Sequence, residues 1–425
     1  MEQSIDEQDI EPHSQRRARL FPAVTQAEWT DWRWQFRHRI TSLDELEKLW
    51  RVADGDHAVW QKVVQNFRIG ITPYYLSLID LDDADDPIAR QSLPSLDEYL
   101  YRNVGEDDPL HEEGHSPVPG LTHRYPDRVL MVISNTCAMY CRHCTRKRLM
   151  FEGAVPRLEL GRMVKYIARH PEIRDVIISG GDPLCLSTAR LEGVLKKVRA
   201  IPHVQVIRIG TRVPCVMPQR ITDDLCQMLA KYHPVWMNVQ FEHPRECTPE
   251  ATAACDKLLR AGIPLNNQSV LLKGVNDDVG TMRELTHRLM RMRVRPYYLF
   301  QCDPVRGAEH FRTSIQRGID IIAGLRGHTS GLAVPTYVID APGGGGKIPV
   351  GPDYLLAYDV TRGEAVLRNF QGKLLEYRDP QPLSAEAMAG ANPTQLDLPT
   401  PSTWLMEPGT AAPSDGGGAE VIEIR

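Results

Sequence analysis

The chain has no apolar run near the ~18 residues that a membrane-spanning helix requires, so no membrane span is expected. The start, Met1-Glu2-Gln3-Ser4-Ile5-Asp6-Glu7, is acidic and has no basic stretch followed by an apolar one, so no secretory leader is expected. A surplus of positive charge is also missing. The 50 Lys and Arg stand against 55 Asp and Glu, for a formal net charge of −5, which gives no electrostatic case for a nucleic-acid partner. The nine cysteines are an odd number, and three of them crowd between Cys137 and Cys144, which is not how a disulfide framework is spread. A reducing cytoplasm is the expected compartment.

What the chain does have is ordinary globular material. Hydrophobic residues make up 42% of the 425 and charged residues 25%, enough for one large α/β domain with additions or for two medium domains. Residues 1–110 read as a polar, helical preface in which Trp29, Trp32, Trp34 and Phe36 alternate with charges, and Ser42-Leu43-Asp44-Glu45 has the pattern of a capping box. The stretch 107–120 reads as a connector. From residue 128, β-rich runs alternate with helical ones. The expected strands are Val129–Ile133, Val176–Ile178, Val204–Ile209, Val235–Phe241, Gln268–Leu272, Pro296–Phe300 and Val334–Ile339; the helices expected between them are Leu158–Arg169, Thr188–Arg199, Thr222–Lys231, Pro249–Arg260, Val279–Arg291 and Ser314–Leu325. Such alternation predicts a parallel sheet, and its number of repeats predicts a full or partial (β/α) barrel over residues 111–378. Residues 379–425 turn to Pro, Ala, Ser, Thr and Gly and read as a largely disordered tail.

The sharpest motif is Cys137-Ala-Met-Tyr-Cys141-Arg-His-Cys144, directly after the first expected strand. A four-iron cube normally takes four thiolates, so three on one loop leave one iron open to another ligand. The alternative is a zinc knuckle with His143 as fourth ligand, although structural zinc sites use two separated pairs. The next strand runs into Gly180-Gly181-Asp182, where glycine permits a close backbone approach. A third motif, Asp340-Ala-Pro-Gly343-Gly344-Gly345-Gly346-Lys347, is not a phosphate-binding P-loop, because Ala341 and Ile348 stand where glycine and Ser or Thr are required. The alternative there is a mobile loop; four glycines in a row carry an entropic cost, and a lysine amine beyond them suits an aldehyde cofactor.

The cysteine spacing followed by Gly-Gly-Asp resembles the radical S-adenosylmethionine superfamily. Together with the lysine loop, Val118–Arg128, Asn267–Leu271, Cys302–Thr313 and Gly324–Gly331, it is similar to the lysine 2,3-aminomutase family over residues 25–378. The resemblance implies an isomerase on a radical S-adenosylmethionine barrel, with a [4Fe-4S] cluster on Cys137, Cys141 and Cys144 and S-adenosylmethionine against Gly180, Gly181, Asp182 and Gln268. It further implies pyridoxal 5′-phosphate on Lys347 with Arg124 and Arg128 nearby, Arg146 on the substrate carboxylate, and Asp303 and Asp340 on the distant ammonium. Two carboxylates sharing a pocket repel unless a cation lies between them, so the pair by itself argues for a basic amino acid. A helix cap is the plainer reading of Asp303. The implied partners are a basic amino acid, a reductant of flavodoxin or ferredoxin type, and further copies of the chain in a homo-oligomer.

Three departures qualify the likeness. No cysteine follows Cys302, and Asp278 stands where the family has another zinc-binding cysteine, so no structural zinc is expected and the family's assembly is left open. In the stretch Asn238–Pro244, Gln240 replaces a histidine. Cys185, Cys215, Cys226, Cys247 and Cys255 read as buried packing residues. An arginine 2,3-aminomutase, a β-lysine supplier for a translation factor and a non-catalytic iron–sulfur protein stay open as alternatives.

Overall fold

The computed structural model describes residues 13–49, 57–150, 159–380 and 421–423. The acidic residues 1–7, the start of the helix expected from Leu158 and most of the expected tail lie outside that set. The chain forms two compact units, Met1–Gly351 and Pro352–Arg425.

In the first unit nine strands form one sheet in sequence order. They are β1 Leu121–Tyr125, β2 Arg128–Val132, β3 Asp175–Ser179, β4 Val206–Gly210, β5 Val235–Val239, β6 Leu265–Leu271, β7 Arg295–Gln301, β8 Thr336–Ala341 and β9 Gly346–Pro349. Neighbours from β2 to β8 run parallel, while β1 and β9 are antiparallel to the strands beside them. The helices Leu160–Ala168, Thr188–Arg199, Asp223–Ala230, Pro249–Arg260, Val279–Arg291 and Ile315–Leu325 follow β2 to β7 in turn. The expected barrel is therefore present, nearly closed. Its seam between β1 and β9 is bridged through a side chain, the Lys347 backbone N–H donating to the Tyr125 hydroxyl oxygen over 3.1 Å.

Side-chain alternation along the strands separates two chemistries. In β3, Val176 and Ile178 are buried in the hydrophobic core, whereas Asp175, Ile177 and Ser179 line the barrel interior. In β4, Ile207 and Ile209 join the core while Arg208 and Gly210 face inward. The helices supply the other side of the core. Thr188–Arg199 starts on a Ser187 cap and buries Leu191, Val194, Leu195 and Val198, one stripe at helical spacing. The seven expected strands and six helices are all found, within a few residues at their ends. β1 and β9 had no apolar run to announce them. The first is Leu-Thr-His-Arg-Tyr, and the second is four residues long with a glycine and a proline.

Among the described residues, eight short helices between His13 and Leu100 precede the barrel. The capping box at Ser42 and Glu45 forms as expected. Trp29 and Trp34 are buried in the same apolar cluster as the barrel helices, so preface and barrel share one core. The second unit is an antiparallel sheet of β10 Leu355–Asp359, β11 Glu364–Arg368, β12 Leu374–Arg378 and β13 Val421–Glu423, in the order β12-β11-β10-β13. Its last strand comes from the far end of the expected tail.

The cysteine loop is tied to the preface by a buried ion pair. Arg142, fully buried, donates to both Glu98 oxygens at 2.8 and 2.6 Å and to the carbonyls of Phe67 and Arg68. Burial alone would push the Glu98 carboxyl up, but Arg142 and Lys147 hold it below the usual carboxylate range. Removing one partner of such a pair leaves an uncompensated buried charge. Arg142→Met is therefore expected to lower stability by about 3–5 kcal/mol, read as a fall in the urea midpoint. An unchanged midpoint would show that the pair holds nothing together.

Candidate active site

The loop after β2 carries Cys137, Cys141 and Cys144, all free thiols bordering the barrel interior. Backbone bonds fasten it to the preface: Tyr140 N–H donates to the Gly70 carbonyl and Arg142 N–H to that of Gln91, both at 2.9 Å. Arg39 donates to the Cys137 carbonyl. Burial pushes all three thiols up, that of Cys144 to about 11, so metal binding here must displace protons. Among the described residues no three His, Cys, Asp or Glu side chains form a group that could hold a metal ion. A single ion needs all its sulfurs about 2.3 Å from one point. A cluster bonds each thiolate to a different iron, so wider spacing suits it. His143 is no obvious fourth ligand either. Its ring is buried edge-on against Phe311, with Nε2 4.0 Å from Glu242.

The glycines at the end of β3 turn out to serve the chain itself. Gly180 has φ +143°, and a Cβ there would lie 2.3 Å from the Ser134 carbonyl oxygen. A Cβ on Gly181 would lie 2.6 Å from the Thr136 backbone. Both glycines let β3 press against the base of the cysteine loop. Asp182 accepts from the Thr211 hydroxyl at 2.7 and 2.8 Å and from the Arg212 and Leu184 N–H groups. Burial pushes its carboxyl up to about 6 despite these donors. Its oxygens thus brace the β3 and β4 ends against each other.

Lys347 stands at the start of β9, across the seam. In the turn before it Gly343, Gly344 and Gly346 have φ of 68°, 82° and 84°, a region that disfavours any side chain. The Lys347 ammonium pairs with Asp340 at 2.9 Å and lies 5.3 Å from the Phe300 ring centre. Arg124, whose side chain is a tenth exposed, has Nη1 3.9 Å from the other Asp340 oxygen, and neither Arg124 Nε nor that oxygen has a hydrogen-bond partner. Arg128 stacks on Tyr125 and pairs with Asp127. Asp303 follows the end of β7 and accepts from the Thr145 hydroxyl at 2.8 Å; it caps no helix. Burial first, then the Asp340 charge, pushes its carboxyl up to about 6.

All these groups border one cavity of about 840 Å³, together with Arg146, Gln268 and Gln240. Gln268 sits at a bulge in the β6–β7 register. Every residue singled out from the sequence for this site lines that space. Sequence reasoning passed over four others. Glu112, in the connector, grips Arg146. Arg212, just past β4, donates from Nη1 to the Cys141 sulfur at 2.9 Å and pairs with Glu246 at 2.9 Å. Thr145 and Thr211 hold the acids named above. Arg212 had a signal, because it follows a strand end as Asp182 does; Glu112 had none.

Residues 131–285 match the model of the radical SAM superfamily, and residues 322–398 match that described as lysine-2,3-aminomutase. An L-lysine 2,3-aminomutase of Fusobacterium nucleatum is 52% identical over 367 residues, covering 86% of each chain. One of Clostridium subterminale is 51% identical over 86% of this chain and 88% of its own. The chain belongs to the lysine 2,3-aminomutase family. A glutamate 2,3-aminomutase of Clostridioides difficile is 44% identical over 84% of each chain, so the family spans side chains of opposite charge.

Against the family pattern, Asp278 caps the helix Val279–Arg291 by accepting from Thr281 N–H at 2.8 Å. Cys215, Cys226 and Cys255 are buried as expected, but Cys185 and Cys247 are only half-buried. Among the described residues no helix is long and apolar enough to cross a membrane.

The position of Asp303 predicts a pH dependence. A raised acid is neutral below its pKa, so attraction for a substrate cation is present above about pH 6 and lost as pH falls through it. The half-saturating concentration of a basic amino acid is expected to rise below that pH, and the inflection to vanish in Asp303→Asn. A flat profile in the parent protein would contradict the pairing.

Proposed function

We propose that this chain is an L-lysine 2,3-aminomutase, an isomerase that interconverts L-lysine and L-β-lysine with a [4Fe-4S] cluster, S-adenosylmethionine and pyridoxal phosphate. The observation that carries the reading is a convergence on one cavity. A three-thiol loop, a lysine amine on a glycine turn, the arginine Arg146 and the carboxylates of Asp303 and Asp340 all border it.

The residues present suit these groups. Cys137, Cys141 and Cys144 would hold the cluster, and Gly180, Gly181, Asp182 and Gln268 would border S-adenosylmethionine. Lys347 would carry pyridoxal phosphate, with the buried and unsatisfied Arg124 Nε and the nearby Arg128 as anion partners. When bound, these groups supply a carbon radical that takes hydrogen from the substrate β-carbon and a π-system that spreads the spin while nitrogen migrates.

The chain's own part is placement. Arg146 orients the substrate carboxylate, and Asp303 and Asp340 receive the far ammonium. Lys347 now pairs with one Asp340 oxygen. Once that amine is engaged elsewhere, Asp340 is left open to the substrate's cation. Two carboxylates repel a glutamate side chain and attract a basic one, which separates this site from one built for an acidic substrate. Lysine rather than arginine follows from the names of the most similar relatives. A one-electron donor of flavodoxin or ferredoxin type would feed the thiol loop.

Protein reconstituted without oxygen and given lysine, arginine, ornithine or glutamate separately should turn over lysine fastest, with β-lysine as product. Faster conversion of arginine or glutamate would overturn the substrate. Lys347→Ala should lose both turnover and the cofactor that borohydride fixes to the wild-type protein; retained turnover would remove Lys347 from the chemistry.

A further inference from the structure

Arg146 is held more firmly than a substrate ligand on a loop needs to be. Glu112 accepts from its Nε at 3.1 and 3.2 Å and from Nη2 at 2.7 Å, so the side edge of the guanidinium is taken. The Glu112 side chain is a tenth exposed, and Arg148 donates to its second oxygen at 3.3 Å while pairing with Asp108 at 2.9 Å. Burial alone would push the Glu112 carboxyl up, but the two guanidiniums bring it down to about 2, so it stays ionised at any working pH. A guanidinium has five N–H donors. With Nε and one Nη2 hydrogen engaged, three remain, two of them forming the Nη1/Nη2 end, and Nη1 reaches Ser179 Oγ on the cavity wall at 3.4 Å.

The segment that presents Glu112 is itself fixed at several points of the site. Arg124 donates to the Leu110 carbonyl. His115 packs so close to the glycine turn that a Cβ on Gly344 would lie 2.5 Å from its ring. Glu106 exchanges backbone hydrogen bonds of 2.8 and 3.0 Å with Pro304 and Arg306, in the loop that follows Asp303. Glu112 therefore reports to Arg146 the position of the elements carrying Asp303 and Lys347.

We infer that Glu112 is a positioning residue: it locks the side edge of Arg146 and so presents the end-on Nη1/Nη2 fork to the substrate carboxylate, at a set distance from the two acids. This rests on the reading of Arg146 as the carboxylate partner. A rival physical reading, that Glu112 occupies the carboxylate's place and is displaced by substrate, predicts the opposite sign on its removal.

The test compares L-lysine with L-lysinol, whose CH2OH replaces the carboxylate, binding to the full-length, cofactor-loaded protein followed by cofactor absorbance. Glu112→Gln keeps the shape but loses the second charged acceptor. It should raise the half-saturating lysine concentration about tenfold and that of lysinol less than about threefold, with kcat changed far less than KM. Glu112→Asp, shorter but charged, should recover part of the preference and serves if the first variant does not accumulate folded. The cluster's EPR signal with S-adenosylmethionine should be unchanged in both. Parallel weakening of both ligands, no change, or tighter lysine binding would each overturn the inference. Arg146→Lys separates the two levels. If it leaves the lysine-over-lysinol preference intact, the reading of Arg146 falls; if it abolishes a preference that Glu112→Gln retains, only the role of Glu112 falls.

Discussion

Four cations crowd the end of the cysteine loop, Arg142, Arg146, Lys147 and Arg148, and two glutamates from upstream answer them. Glu98 meets Arg142 at 2.6 Å and Lys147 at 3.8 Å; Glu112 meets Arg146 at 2.7 Å and Arg148 at 3.3 Å. So much charge at low exposure is tolerable only when paired and hydrogen-bonded. The pairing decides the shape of the loop, and with it where the three sulfurs stand. It also explains why the barrel needs its helical preface. The preface lends Glu98 and the connector lends Glu112, and the shared core that buries Trp29 and Trp34 holds the preface against the barrel.

The cavity is lined with paired charges of both signs. Near the thiols lie Arg212 and Arg146, each already partnered by a buried acid. At the seam Asp340 is paired to the lysine amine with Arg124 nearby, while Asp303 reaches back to Thr145 on the thiol loop. In the proposed reading, a molecule with a carboxylate at one end and an ammonium at the other meets Arg146 with the first and the two acids with the second. Such a field orders a flexible chain before any chemistry begins, which is where a site that moves a nitrogen by one carbon must exert control.

Much of the fold was legible because the helices and central strands each carry their own periodic signal. The helix Pro249–Arg260 was bounded to the residue, since a Thr248 cap, a proline at its first position and basic residues in its last turn all agree. The strands β1 and β9 were not legible. Their pairing is dictated by neighbours rather than by their own polar or glycine-bearing residues. The candidate residues could be named in advance because some stand where a strand with an apolar run gives way to a loop, as Asp182 and Asp303 do, while Lys347 was marked by the glycine run before it. Their partners were harder to see. Glu112 lies in a segment read as a mere connector, and Thr145 looked like one more polar residue after the cysteines.

From sequence alone the chemistry could be named: three thiols at fixed spacing, an amine beyond a glycine run, and a repeating βα pattern that brings strand ends to one rim. These are local statements, and covalent spacing suffices to make them. Only the folded chain decided what those groups touch. The glycines of β3 proved to be clearance for the cysteine loop, Asp182 a brace between strands, and Arg146 an arginine already held on one side. Each of these rests on pairs of residues roughly 30 to 45 positions apart, which no local pattern in the sequence brings together.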